Sequence, residues 1–522
     1  MNTKQSYIKN EDSDKVILNT LDSIKSWVNN KYKEQKEECK LTGQKPYIDF
    51  SDSKLSYLCF HDKEIQTMDF FNFIDLSGQI DGILNIEGEY GQYKVIVSRD
   101  IKLNRTIIGN GIFQHVIFKG KVEINDTVFF GTCNFKNCIF EDTFSTINTL
   151  FEKNIELENC TFKGKVIMRS SQINVEYSHI TTCIFKKGLD LNNAIFKQLS
   201  PKKPTFEINN CDITESFSLN KTVCKNVRIR VNNNIFNDGI SLKDPQWETK
   251  AFFIHDCVIK GTSQITYGDT NTSNIITLGL WANKIYGDIH IENLNANCLI
   301  CNFCHVYSSA LIRIDELKSE NVKFEQNTIE GRVNFAECTI RKANFEHTIS
   351  IGLIDCLGTK IVNLSNEFSA MLLKNECKKL GIDSLASYYY IMQMELRRKS
   401  NDIKMRDKLL LLFKEKSNYF STNWLKPIYA ILIIPIITLH ITNWANGYNI
   451  FTYNGFDLEA LDKAIKCYLS IINVFNITQN GLNVLDTVNI NSFGVICVFI
   501  TKILISILVY QTIQVFKKND NI

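Results

Sequence analysis

Phenylalanine recurs through the first half of this chain at a fixed interval. "VIF" ends at Phe118, "TVF" at Phe129, "CIF" at Phe140, "TLF" at Phe151 and "CTF" at Phe162, each eleven residues after the last. Ile107 falls one step before this series and Ile173 one step after it; a single twelve-residue step then leads to Phe185, and Phe196 follows. Midway stand Ile124, Phe135, Leu157 and Met168, so apolar positions advance by alternating six and five. Neither a 3.6-residue helix nor a plain alternating strand produces that interval. A short period held over hundreds of residues marks a solenoid. Segments that turn a corner every five or six residues build a parallel β-helix, with one anchor inside each face. Alternation along a strand also turns the residue two before each anchor inward. Space is short there, beside the corner, so Cys, Ala, Thr and Val are favoured. "CNFKNCIF" at 133–140 places Cys at that position twice.

The pattern is cleanest at 333–347, which parses as Val-Asn-Phe-Ala-Glu, Cys-Thr-Ile-Arg-Lys, Ala-Asn-Phe-Glu-His. This resembles the pentapeptide-repeat family, whose unit is a small residue, a polar residue, Leu or Phe, and two variable residues. The resemblance is closest at 133–140 and 333–347. It implies a right-handed quadrilateral β-helix, with corners loosened here by the many steps of six. The expected fold is therefore mainly β. A parallel β-helix runs over 56–365, at about 22 residues per coil and about 12 to 14 coils.

The segment 1–55 reads as a helical cap. Ile17, Leu21, Ile24 and Val28 fall on one helix face, with Asp12 or Ser13 as N-cap. Residues 1–15 lack the apolar core of a secretory signal. The 17 cysteines follow no disulfide framework, and those at 133, 138, 160, 183 and 338 occupy inward small positions. They read as reduced, buried thiols in a reducing compartment. "CLICNFCH" sets Cys298, Cys301 and Cys304 in a spacing that can hold zinc or an iron–sulfur cluster, with His305 adjacent. No fourth cysteine follows at the usual distance. Buried packing is the reading the sequence favours, with this trio kept as the candidate metal ligands.

Catalytic signatures are missing: there is no Walker A, GxSxG or HExxH, and no acidic pair repeats at coil spacing. No catalytic or cofactor-binding residue is assigned. Charge argues against nucleic acid as partner, and against a rod that mimics DNA. The chain carries +3 overall, +5 of it within 366–426, so residues 1–365 hold only −2. A duplex carries one negative charge per about 1.7 Å.

After residue 365 the period changes to that of helices. "NEFSAMLLKNECKKLG" ends on Gly381, and Asp383 or Ser384 opens the next helix. Residues 366–423 read as a helical cap for the open end of the β-helix, with a basic juxtamembrane region. Residues 424–522 read as a membrane domain. Its spans are 424–444, bracketed by Trp424 and Trp444 and kinked at Pro435, and 493–516, closed by Lys517 and Lys518. A further helix is expected near 457–475. The flank before the first span carries Lys404, Arg406, Lys408, Lys414 and Lys416, whereas the loop between spans has only Lys463 and Lys466. The positive-inside rule then puts both termini and the β-helix in the cytoplasm, on the inner membrane. Residues 366–522 resemble the two-helix C-terminal region of bacterial pentapeptide-repeat membrane proteins. Some of those are described as ion-channel-like, but the TVGYG filter is missing here.

Within the second span, Lys502, Ser506, Tyr510 and Gln514 recur every four residues and draw a polar stripe. Lys502 lies near mid-bilayer, where a charge is costly and marks function by default. The expected partners are membrane lipid, further copies of the chain and a protein of unspecified identity. The expected role is a non-enzymatic, membrane-anchored scaffold. The alternative is an oligomeric pore, an effector in stress or defence, that uses the stripe.

Overall fold

Four short strands in succession make one coil: Val128–Phe129, Cys133–Lys136, Ile139–Phe140 and Phe144–Ser145. The next coil repeats them as Leu150–Phe151, Ile155–Glu158, Thr161–Phe162 and Val166–Ile167. Pairing is parallel and in register, so Phe129 meets Phe151, Phe135 meets Leu157, Phe140 meets Phe162 and Phe144 meets Val166. In the computed structural model these coils form a β-solenoid of about 11 turns, somewhat fewer than the sequence period implies. The residues described are 100–105, 107–198, 204–248, 251–268, 275–420, 422–445, 458–474 and 492–520, with short strands before residue 100. The chain divides into two compact units, Met1–Ser365 and Asn366–Ile522.

The anchors stack inside as expected. Phe118, Phe140, Phe162 and Phe185 form one column of parallel rings with centroids 4.8, 4.6 and 4.9 Å apart. The column continues by register through Ile213, Phe236, Ile259, Ile285, Val306 and Ile329. Stacked aromatic pairs add about 0.5–1.5 kcal/mol each beyond the area they bury. Ile124, Phe135, Leu157 and Met168 are also buried, as are Val333, Phe335, Cys338, Ile340, Ala343 and Phe345. One anchor is shifted by a residue. Ile108, not Ile107, stands opposite Phe129, because the long strand Ile107–Gln114 pairs with Val128–Phe129 through Ile107 and Ile108 and, one residue out of step, with Cys133–Lys136 from Gly111 on.

Corners are made by residues in the left-handed region. Asp126, Asn137, Asn148 and Asn159 all have φ between 50° and 55°, one corner every eleven residues. Short amide and carboxylate side chains tolerate this region better than other non-glycine residues. The position two before each anchor on one face forms a buried polar ladder. Its rungs include Cys138, Cys160, Cys183, Cys211, Asn234, Cys257, Asn283, Cys304, Asn327 and Thr348. Each rung donates to a carbonyl of the preceding coil: Cys160 Sγ to Phe135 O at 3.4 Å, Asn283 Nδ2 to Ile254 O at 2.9 Å.

The N-terminal helix expected from Ile17, Leu21, Ile24 and Val28 falls almost wholly outside the described residues, and only Ile17 is placed. Val16–Leu18 is a strand, parallel to Ser53–Leu55, with Ile17 opposite Lys54; Ile8–Lys9 pairs with it antiparallel. Asp12, Ser13, Leu21, Ile24 and Val28 lie outside the described residues.

The second unit is helical: α1 (Glu367–Lys379), α2 (Asp383–Lys399), α3 (Met405–Asn418), α4 (Leu425–Ala445), α5 (Leu458–Ile472) and α6 (Ser492–Asp520). Asn366 caps α1 by accepting from the Ser369 amide, and Gly381, at φ +71°, ends it. Asp383 begins α2 without a side-chain cap. Helices α4 and α6 are long and apolar enough to cross a membrane. At 1.5 Å per residue, the 21-residue α4 is about 31 Å long, the thickness of a hydrocarbon core.

Candidate functional site

Polar groups on α4, α5 and α6 converge in an otherwise apolar bundle. Pro435 lacks an N–H, so the turn before it in α4 is short of donors. Tyr468 of α5 adds a donor beside it: its hydroxyl donates to Leu432 O, one residue after the carbonyl that Pro435 leaves unserved, at 3.0 Å. Further along, Thr438 and Thr501 hydroxyls meet across α4 and α6 at 2.7 Å, both buried. Asn418 Nδ2 donates to Gln511 Oε1, tying α3 to α6. Ile471 of α5 is buried with Val498 and Ile505 of α6, against Ile431 and Leu439 of α4.

The four-residue stripe winds around α6. Each four-residue step advances about 40° beyond a full turn. Lys502 is therefore buried beside Thr501, whereas Ser506 and Tyr510 are exposed and Gln514 is half-buried. Ser506 Oγ turns back to Lys502 O at 2.8 Å. The face that packs inward runs through Val498, Thr501, Ile505, Leu508 and Val515, in steps of three, four, three and seven, with Lys502 beside Thr501.

The cysteine trio is split by its strand. Cys301 and Cys304 are buried in the rod, Cys304 as a rung of the ladder, whereas Cys298 lies half-buried on the opposite face of Asn295–Asn302. His305 bonds Glu330 at 3.0 Å and stacks on Tyr307. Cys133 and Cys224 are held well above the ordinary thiol range by burial, and Cys257 is pushed up to about 12. These thiols are therefore expected to resist a thiol reagent until the rod unfolds, while half-buried Cys298 reacts first. Counting modified peptides by mass spectrometry before and after denaturation checks this.

The one set of metal-ligating side chains that converges among the described residues lies elsewhere. Glu156, Glu158 and His179 bring their ligand atoms within 4.8 Å of one another. All three face outward: Glu156 and Glu158 alternate with buried Ile155 and Leu157, and His179 stands opposite Glu156 one coil later. Glu158 is held by Lys136 at 2.9 Å and by His179 at 2.9 Å, and these partners keep its carboxyl below the usual range. Sequence inspection passed over this set because its members are separated by a whole coil. The signal available was Glu-x-Glu on an alternating strand, with His one coil on.

Compared with protein-family models, curated proteins and solved structures, the chain matches none.

Proposed function

We propose that this chain is a membrane-anchored protein whose β-solenoid is a non-enzymatic binding scaffold in the cytoplasm, built on degenerate pentapeptide repeats. The observation that carries the reading is the exposed apolar surface of α4 and α6. Ile433, Ile436 and Ile437 on α4, and Phe499, Ile500 and Ile503 on α6, are all exposed. Only 22% and 33% of the two apolar stretches are buried, unlike the core helices of a water-soluble domain. Helix α3 adds a surface suited to the membrane interface, with Met405, Leu409, Leu410 and Phe413 exposed beside Arg406 and Lys416. The alternating burial at 333–347 supports kinship with pentapeptide repeats.

The chain is expected to stay with membranes in alkaline carbonate and to leave them only in detergent. Appearance in the carbonate supernatant would sink the anchor. Orientation is read separately, with an exposed cysteine introduced at Lys163, since Cys133 is buried. An impermeant maleimide is expected to label Lys163→Cys in lysed but not in intact cells.

A second reading, a pore formed by several copies, is favoured by α5. At 15 residues this helix is too short to span a bilayer, yet it joins both spans through Ile471 and Tyr468. Such half-span elements line cavities in membrane proteins. Ion flux through purified protein in liposomes separates the two readings, and Lys502→Leu is expected to alter conductance or selectivity only if the pore exists.

A further inference from the structure

Outward positions on the rod mostly satisfy one another in pairs, but around Glu156 they do not. Asn134, Glu156 and His179 are successive members of one outward column, and Lys136 and Glu158 lie beside it. Asn134 donates its Nδ2 to Glu156 Oε2 at 2.9 Å, leaving Asn134 Oδ1 buried and without a hydrogen bond. On the far side of Glu156, His179 is 8% exposed and spends Nε2 on Glu158, leaving Nδ1 buried and equally without a partner. Two carboxylates, an amide oxygen and an imidazole thus gather over three coils. Lys136 reaches Glu158 Oε2 at 2.9 Å from the exposed side. Glu207, the next member of the column, is turned to Asn232 at 2.8 Å. Buried acceptors without donors are costly, and a cation is the group that satisfies several at once.

We propose that Glu156, Glu158 and His179 form a site for a divalent first-row cation, with Asn134 Oδ1 as a further oxygen donor. A set of oxygens with one imidazole suits Mn2+ among such ions, and the thiol-rich interior offers no competing hard site. Ligands from two successive coils would make the ion a clamp between turns of the solenoid. Lys136 competes with it for Glu158.

The test uses the full chain in detergent and follows the spectrum of free Mn2+ by electron paramagnetic resonance. Saturable binding of one Mn2+ per chain is expected. His179→Ala and, separately, Glu156→Gln are expected to weaken it by about tenfold or more. Lys136→Met is expected to tighten it, because the competing charge is gone. Circular dichroism should stay unchanged for Glu156→Gln and Lys136→Met, whose parent side chains are half-buried and exposed, and is the folding control for His179→Ala, whose side chain is largely covered. Absence of saturable binding, or affinity unchanged in both ligand variants, overturns the site. Weaker binding in Lys136→Met would equally count against it.

Discussion

Phe140→Asp is expected to abolish the solenoid's cooperative unfolding transition. Phe140 is fully buried, stacked between Phe118 and Phe162, and its ring meets Phe144 edge-on with centroids 5.0 Å apart. Removing a buried phenylalanine costs about 3–5 kcal/mol through lost transfer and cavity terms. The aspartate adds a charge among phenylalanine rings with no partner, several kcal/mol more unless it is protonated. Domains are stable by only about 5–15 kcal/mol, so this single change consumes most of that margin. In a solenoid each coil leans on its neighbours, so damage spreads from this rung outward. Phe140→Leu keeps an apolar filler and is expected to cost only about 1–2 kcal/mol. Far-ultraviolet circular dichroism and thermal melting distinguish the two variants. A Phe140→Asp protein that melts like the parent would show that the register placing Phe140 inside is wrong.

Most of the rod was legible because its period is a packing requirement. Phe129, Phe140 and Phe151 must recur every eleven residues if alternate faces of one coil are to be filled by equivalent side chains. The eleven-residue series Asp126, Asn137, Asn148 and Asn159 was equally available and records the left-handed corners. Where strands lengthen, the period fails as a guide. The strand Ile107–Gln114 shifts the anchor to Ile108, and Ile275–Trp281 merges what are separate strands in earlier coils. At the N-terminus, Ile17 lies in a strand paired with Ser53–Leu55. The two long apolar helices were legible from length and hydropathy alone. The contacts inside the bundle were not: Tyr468 and Leu432 are 36 residues apart and meet through a hydroxyl–carbonyl bond that no local pattern announces. Glu156, Glu158 and His179 were hidden for the same reason, since side-chain convergence across coils has no local sequence pattern.

Asn283→Leu is expected to be the second most damaging change in the rod, although it replaces a polar core residue with an apolar one. Asn283 is 1% exposed. Its amide group donates to Ile254 O at 2.9 Å and its oxygen accepts from the Cys257 N–H at 2.8 Å. Cys257 follows the left-handed corner residue Asp256 of the preceding coil, and Ile254 lies in the strand Phe252–His255 just before it. Leucine leaves both unsatisfied, at about 1–3 kcal/mol each, and its branched end crowds a tight corner. The ladder itself supplies the control. Cys257 occupies the same position one coil earlier, donates from Sγ to Val231 O at 3.5 Å and accepts from the Asn234 N–H at 3.4 Å. Asn283→Cys therefore keeps a weak version of both bonds in a smaller side chain, and is expected to cost about 1 kcal/mol. If hydrophobicity alone decided what these corner positions accept, leucine would equal or exceed cysteine. Urea unfolding of the two variants decides the matter: Asn283→Cys should stay close to the parent midpoint, with Asn283→Leu well below it. Equal midpoints would mean that the ladder's hydrogen bonds do not hold the coils together and that Cys and Asn recur there for size alone.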